Sequence, residues 1–247
     1  MRQENIWDED TARRYDTPGT GMFAPELLAA TVDRLAGLAG QGRALEFAIG
    51  TGRIGIPLAE RGVDVTGIEL SQPMIDQLRT KVDEATIPVV RGDMATTRVA
   101  GEFSLVYLVF NTISNLLTQA EQVECFRNAA RHLRPGGRFL IELTVPGLRE
   151  LPPGQQATVF AVEPGYIGLD TYDVVNQHLV SYHFEFDDGR QARLSRSPHR
   201  YVWPAELDLM AQVAGFELES RHADWVGTAF TSESRSHVSV YRLPEPQ

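Results

Sequence analysis

The sequence predicts an α/β fold: a doubly wound, mainly parallel seven-stranded sheet with an antiparallel strand insertion after the fifth strand. Three observations carry this. Over the first 145 residues, helical patterns alternate with short apolar strands, which calls for parallel strands joined by right-handed crossovers. Beyond Val145 the style changes to a Pro- and Gly-rich loop and then a hairpin signature. The sequence then closes with one helix and two strands suited to an antiparallel pair. At 247 residues, 43% hydrophobic and 23% charged, one large domain over 1–247 accommodates all of it.

Each element has a local reason. Pro25 to Leu38 reads as a helix because Leu27, Leu28, Val32 and Leu35 recur on one face. Ala44 to Ala48 is a strand ending at a glycine-rich turn. Arg53 to Arg61 is helical provided Pro57 falls within the first turn. Asp64 to Glu69 is a second strand; Ser71 then offers an N-cap, with Pro73 just inside a helix running to about Glu84. Pro88 to Arg91 and Ser104 to Phe110 are the next strands. Gln119 to Leu133 is a helix stopped by Pro135-Gly136-Gly137, and Arg138 to Thr144 is the fifth strand. Pro146, Gly147, Pro152, Pro153 and Gly154 mark a loop. Leu179 to Phe186 and Arg190 to Ser197 flank the turn Asp187-Asp188-Gly189. In the first of these two strands, Val180, Tyr182, Phe184 and Phe186 share one face, and Ser181, His183 and Glu185 the other. Pro204 to Ala214 is a helix closed by Gly215, and Phe216 to His222 and Ser236 to Leu243 are the final strands.

Composition excludes several classes. The formal charge is −10, which argues against a nucleic-acid partner, because phosphate contacts supply most of such affinity. A single cysteine, Cys125, cannot form an internal bridge. The strongest apolar run, Leu105 to Phe110, is far short of a membrane span, and no apolar run follows the first residues as in a signal peptide. These points lead us to expect a cytoplasmic protein with no nucleic-acid partner, no membrane contact, and either a monomeric or a homodimeric state.

The most informative segment is Ala44-Leu45-Glu46-Phe47-Ala48-Ile49-Gly50-Thr51-Gly52-Arg53. There a strand ends, glycines let the backbone turn against a ligand, and a helix begins. In open α/β sheets the ligand lies beyond such strand ends. Gly50, Gly52 and Gly55 also spell the dinucleotide fingerprint, so a nicotinamide-dependent oxidoreductase is an alternative. Glu69 ends the second strand, where an acidic side chain can accept from a ribose diol. Gly92-Asp93-Met94 ends the third. A carboxylate there can accept from an adenine amino group, and Met94 can pack on the ring.

Together with Leu133-Arg134-Pro135-Gly136-Gly137, these motifs resemble the ordered motifs of class I S-adenosylmethionine-dependent methyltransferases, whose Rossmann-like fold matches the sheet above. Within that superfamily the chain is similar to bacterial small-molecule enzymes, including those acting on amino sugars and natural products. The resemblance covers about residues 40–145 and extends more weakly to Trp203-Pro204-Ala205-Glu206 through Phe216 and the terminal strands. The family often has glycine where this chain has Ala48. The resemblance implies that S-adenosylmethionine is the cofactor and S-adenosylhomocysteine the product. Glu46 would face the methionine end, Gly50 and Gly52 would give it room, and Glu69 would hold the ribose hydroxyls. Leu70, Asp93 and Met94 would surround the adenine. Ala48, Arg53, Met74 and Gly92 complete the implied cofactor set, with Val109 and Phe110 where cofactor meets substrate. Tyr15, within Trp7 to Asp16, matches a segment that folds over the cofactor as a lid.

The implied reaction is in-line displacement of a methyl group from a sulfonium by a small-molecule nitrogen or oxygen acceptor. The protein chiefly aligns the partners, and a base is needed only for a protonated acceptor or a hydroxyl. A protein acceptor is the alternative within the family. No metal-type histidine pair is present, and no catalytic residue is evident. His183 and His199 are candidates for substrate contact, in the same wall as His178. His132, at a helix end, reads as a structural cation. Arg190, Arg193, Arg196 and Arg200 read as a solvated strand edge or an anion-binding wall. The expected division is 1–40 as N-terminal lid and helices, 41–145 as cofactor core, 146–203 as inserted substrate wall, and 204–247 as terminal helix and strands.

Overall fold

A computed structural model describes residues 6–187 and 191–245. In chain order, α1 (Glu9–Tyr15) and α2 (Pro25–Ala39) precede β1 (Ala44–Phe47), α3 (Gly55–Glu60), β2 (Val65–Glu69), α4 (Gln72–Arg79) and β3 (Val89–Arg91). Then come β4 (Phe103–Leu108), α5 (Gln119–His132) and β5 (Leu133–Thr144). Four strands follow: β6 (Ala157–Glu163), β7 (Tyr166–Asp173), β8 (His178–Asp187) and β9 (Gln191–Arg200). The described chain closes with α6 (Pro204–Val213), β10 (Glu217–His222) and β11 (Ser236–Arg242).

The main sheet has seven strands in the order β10-β11-β5-β4-β1-β2-β3. β1 through β5 pair in parallel, and β11 runs antiparallel to both β5 and β10. Alternate side chains send the two faces of each strand into separate cores. Leu45 and Phe47 of β1 join Val106 and Leu108 of β4 beneath α5 and α6; Leu105 and Tyr107 join the core covered by α2, α3 and α4. The sheet is therefore doubly wound. β1 lies between β2 and β4, so the strand order reverses there, and the crevice beyond those strand ends is the ligand position.

The inserted wall is larger than the hairpin expected from sequence. β6 to β9 form a separate four-stranded antiparallel sheet. β6 and β7, joined through Pro164 and Gly165 (φ 78°), escaped the sequence reading. Asp188, Gly189 and Arg190 of the expected hairpin lie outside the described residues. Other boundaries also moved. α4 stops at Arg79, whose guanidinium donates to the Ile87 carbonyl at 3.0 Å and holds the following segment in a turn. β4 ends at Leu108 because Phe110 and Asn111 adopt left-handed φ of 56° and 58°. α5 passes straight into β5, and Pro135-Gly136-Gly137 bulges from that strand between the pairs Phe103–Leu133 and Leu105–Arg138. The link from β3 to β4 carries turns instead of a helix.

His132 is structural, as expected, but it is no cation. It is buried; its Nε2 accepts from the Val99 N–H at 2.9 Å, which leaves Nδ1 to donate to the Asn128 carbonyl at 2.8 Å. Burial lowers its pKa, so the neutral ring is the resident form.

Candidate active site

The turn after β1 is the floor of the site. Ala48, Gly50 and Gly52 all have positive φ, at 53°, 59° and 83°. A Cβ on Gly52 would strike the Leu78 side chain at 2.2 Å, so that glycine is required by packing against α4. One on Gly50 would meet only the Ala48 carbonyl, at 3.9 Å, leaving open space above the backbone. The Gly50 N–H donates to Glu69 Oε2 at 2.8 Å, and the Ser71 N–H donates to Glu69 Oε1 at 2.8 Å. Burial raises the Glu69 pKa while the Ser71 and Gly50 bonds pull it down. A carboxylate has about four acceptor positions, so two remain for a ligand.

Glu46 lies deeper. It is buried in β1 and accepts from the Tyr107 hydroxyl at 2.9 Å, and burial pushes its pKa up to about 8. Asp93 serves its own turn, taking the Ala95 N–H at 2.7 Å on Oδ1. Met94 packs into the core under α5.

At the end of β4 the left-handed corner is braced from neighbouring elements. The Phe110 N–H donates to Glu142 Oε2 at 2.8 Å, the Trp225 indole donates to Glu142 Oε1 at 2.8 Å, and the Thr144 N–H donates to Asn111 Oδ1 at 2.6 Å. These bonds hold the strained pair where it presents Phe110, 43% exposed, to the crevice.

The N-terminal segment crosses the mouth. The Ser71 hydroxyl donates to the Trp7 carbonyl at 2.6 Å, and Asp16 takes the Thr51 hydroxyl at 2.6 Å and Lys81 at 2.7 Å. Tyr15 packs edge-on between Trp7 and Phe23. On the outer side, Arg14 reaches Glu185 at 3.4 Å and Arg193 reaches Asp10 at 3.0 Å, joining this segment to the wall.

Between these parts lies a cavity of about 360 Å³. Of the residues singled out from sequence, Tyr15, Ala48, Gly50, Glu69, Met74 and Phe110 line it, and so does His199. Glu46, Gly52, Arg53, Leu70, Gly92, Asp93, Met94 and Val109 do not, and neither does His183, whose Nδ1 is 2.7 Å from the Tyr166 hydroxyl. The opposite side is built by Asp170, Tyr172, Leu179, Ser181, Tyr201 and Val202, none of which sequence reasoning marked as a site residue. The signal for the first four was period-two alternation on β7 and β8, readable only once β7 is recognised; Tyr201 and Val202 follow β9. Alternation left open which face of β8 looks inward; Ser181 shows that it is the polar one. Burial lowers the His199 pKa to about 4, with His183 adding to the shift, and burial raises Tyr172 to about 12. The arginine series is no uniform solvated edge. Arg200 is buried against Gln122, Gln177 and Glu206, while Arg196 lies over the Tyr182 ring at 5.3 Å. Among the described residues, no cluster of three His, Cys, Asp or Glu side chains could hold a metal, and no helix is long and apolar enough to cross a membrane.

A methyltransferase-domain family model matches residues 44–137, the stretch from β1 to the bulge in β5. Over nearly the whole length the chain is similar to the solved CcbJ methyltransferase from Streptomyces caelestis: 36% identity, 96% of each chain covered, TM-score 0.83. The chain belongs to the S-adenosylmethionine-dependent methyltransferases. S-adenosylmethionine is the cofactor of this methyltransferase, and the nicotinamide alternative is set aside. The methyltransferase is also 26% identical to the cypemycin N-terminal methyltransferase of Streptomyces sp, over 97% of this chain and 98% of that one. Its fold is shared with the sugar N-methyltransferase KedS8 from Streptoalloteichus sp, at 20% identity, TM-score 0.65, and 92% and 90% coverage.

Proposed function

We propose that this methyltransferase transfers a methyl group from S-adenosylmethionine to a nitrogen or oxygen of a small molecule by in-line displacement. The cavity carries the reading: Gly50, Glu69 and Met74 line one side, at the ends of β1 and β2, and wall side chains line the other. The residues fit the cofactor. Glu69 keeps two acceptor positions for a ribose diol, held in place by two backbone donors. Gly50 leaves room for close approach, Tyr15 covers the mouth, and Phe110 stands at the junction of the two halves. Glu46, Ala48, Gly52, Arg53, Leu70, Gly92, Asp93, Met94 and Val109 shape and support the same region, with 41–145 as cofactor core and 146–203 as substrate wall.

The cofactor supplies an activated methyl on a sulfonium with a good leaving group. The chain's own task is then alignment and exclusion of water. The Glu142–Trp225 brace fixes the Phe110 corner, and the Trp7–Tyr15 segment shields the mouth. A cavity of this size favours a small acceptor over a folded protein. Two relatives are named for N-methylation or N-terminal methylation, which is compatible with nitrogen. His199 lines the cavity with its Nε2 3.0 Å from the Ser197 hydroxyl, and burial holds the ring towards its neutral form.

Calorimetry with S-adenosylhomocysteine tests the site. The unaltered chain is expected to bind it, and Glu69→Ala to lose about 1.5–3 kcal/mol of affinity while remaining folded. Unchanged affinity in a folded Glu69→Ala would remove Glu69 from the ribose and with it this reading of the cavity.

A further inference from the structure

The charge of the cavity is one-sided. Its lining includes two carboxylates, Glu69 and Asp170, and among the described residues neither a lysine nor an arginine. Glu69 is anchored by backbone donors on both oxygens. Asp170 is not. On β7 it sits in register with Ser181 of β8, whose hydroxyl donates to Oδ1 at 2.7 Å; among the described residues no donor reaches Oδ2.

The surroundings leave this carboxylate without a counter-charge. Burial raises its pKa, opposed by the Ser181 bond and then by His183, yet burial also holds His183 towards its neutral form. Next to Asp170 in the cavity are the aromatic rings of Tyr172 and Tyr201, whose centroids are 6.2 Å apart, and the buried Tyr201 hydroxyl has no hydrogen-bond partner. An under-solvated carboxylate beside aromatic faces attracts a cation by ion pairing and by ring quadrupoles together. A carboxylate or phosphate entering the wall side of the cavity would meet the Asp170 carboxylate with no lysine or arginine in the lining to offset it.

Resting on the methyl-transfer reading above, we propose that Asp170 binds the amine of the methyl acceptor as its ammonium and takes one proton from it on Oδ2, freeing the nitrogen lone pair that forms the N–C bond as the C–S bond of the sulfonium breaks; the acceptor class is then a small organic amine and not an acid. Tyr172 and Tyr201 flank the ammonium. The negative charge at this position also keeps acidic metabolites out.

The experiment is calorimetry on the full chain saturated with S-adenosylhomocysteine, using benzylamine, benzyl alcohol and benzoate as probes at neutral pH. Benzylamine is expected to bind at least about tenfold more tightly than benzyl alcohol, the scale of one charge-assisted hydrogen bond, with benzoate weakest. Asp170→Asn should erase that preference and leave S-adenosylhomocysteine affinity within about twofold, as for a residue off the cofactor. The inference is overturned if the alcohol or the acid binds as well as the amine, if no probe binds, or if the preference survives in Asp170→Asn. A marked loss of S-adenosylhomocysteine affinity in that variant also overturns it, by assigning Asp170 to the cofactor. The three-probe comparison on the unaltered chain decides even where the variant does not fold. Failure of S-adenosylhomocysteine to bind the unaltered chain, read before any probe is added, would bring down the methyl-transfer reading and this inference with it.

Discussion

Glu46 and Glu69 lie on neighbouring strands and are both buried, and burial raises the pKa of each, but their partners differ. Glu69 takes two backbone N–H groups, which favour the carboxylate. Glu46 faces one phenol, that of Tyr107 directly across the β1–β4 register, and at a pKa of about 8 it is largely protonated at neutral pH. If Glu46 meets the ammonium of the methionine end, binding must expel its proton. Titrations of S-adenosylhomocysteine in buffers of different ionisation enthalpy are therefore expected to show proton release at neutral pH for the unaltered chain and less for Glu46→Gln. Equal proton counts would place Glu46 in the scaffold alone. Glu69 was legible in the sequence as an acid at a strand end, and Glu46, inside the first strand, through the family resemblance. Their difference was not, because Tyr107 lies 61 residues away and reaches Glu46 only when β4 pairs with β1.

At the scale of elements, the wall depends on how β9 is fastened to the helices. Arg200 ends β9 with a side chain only 6% exposed; it donates to Glu206 Oε1 at 2.7 Å, to Gln177 Oε1 at 3.1 Å, and to Gln122 of α5. Removing one partner of a buried ion pair strands the other, at a cost of about 3–5 kcal/mol. Arg200→Ala is expected to lose stability on that scale in urea unfolding, and a loss below about 1 kcal/mol would mean that the network does not anchor the wall. In the sequence, Arg200 belonged to a run of arginines at three- and four-residue spacing with nothing to separate it from the rest. β6 and β7 were missed for a related reason. Only Gly168 and Tyr172 of β7 are buried, so the apolar alternation that marks a core strand is faint. The cofactor-side strands, buried along their whole length in β1, β2 and β4, were plain.

For the whole molecule, buried ionisable groups set the pH range of stability. His132, His199 and His237 all have lowered pKa values, His199 and His237 at about 4, with burial as the leading cause. An unfolded histidine titrates near 6.5, so as pH falls below that value the unfolded chain takes up protons that the folded one resists. Stability is then lost progressively down to about pH 4. Glu46 acts in the opposite direction: its contribution is full below the unfolded value of 4.5 and is lost as pH rises through about 8. His237 is fully buried, with Nδ1 2.8 Å from the Ser239 hydroxyl and Nε2 unpartnered, so it is the cleanest reporter. His237→Gln should flatten the fall in stability between pH 6.5 and 4 by up to about 3 kcal/mol. Denaturation curves with the same pH slope in both proteins would show that another group carries the acid transition.

The sequence by itself determined the winding of the sheet, the glycine turn after β1, the Ser71 cap of α4, the glycine stop after α6 and the acid at the end of β2. Each of these is a short-range signal, set by periodicity, by backbone sterics or by a side chain bonding its own neighbours. Only the tertiary structure decided that the polar face of β8 looks inward, that Asp93 spends a carboxylate oxygen on its own turn, and that Asp170 stands without a cation. These depend on which distant elements pack together, and desolvation acts on a group only after that packing has removed its water.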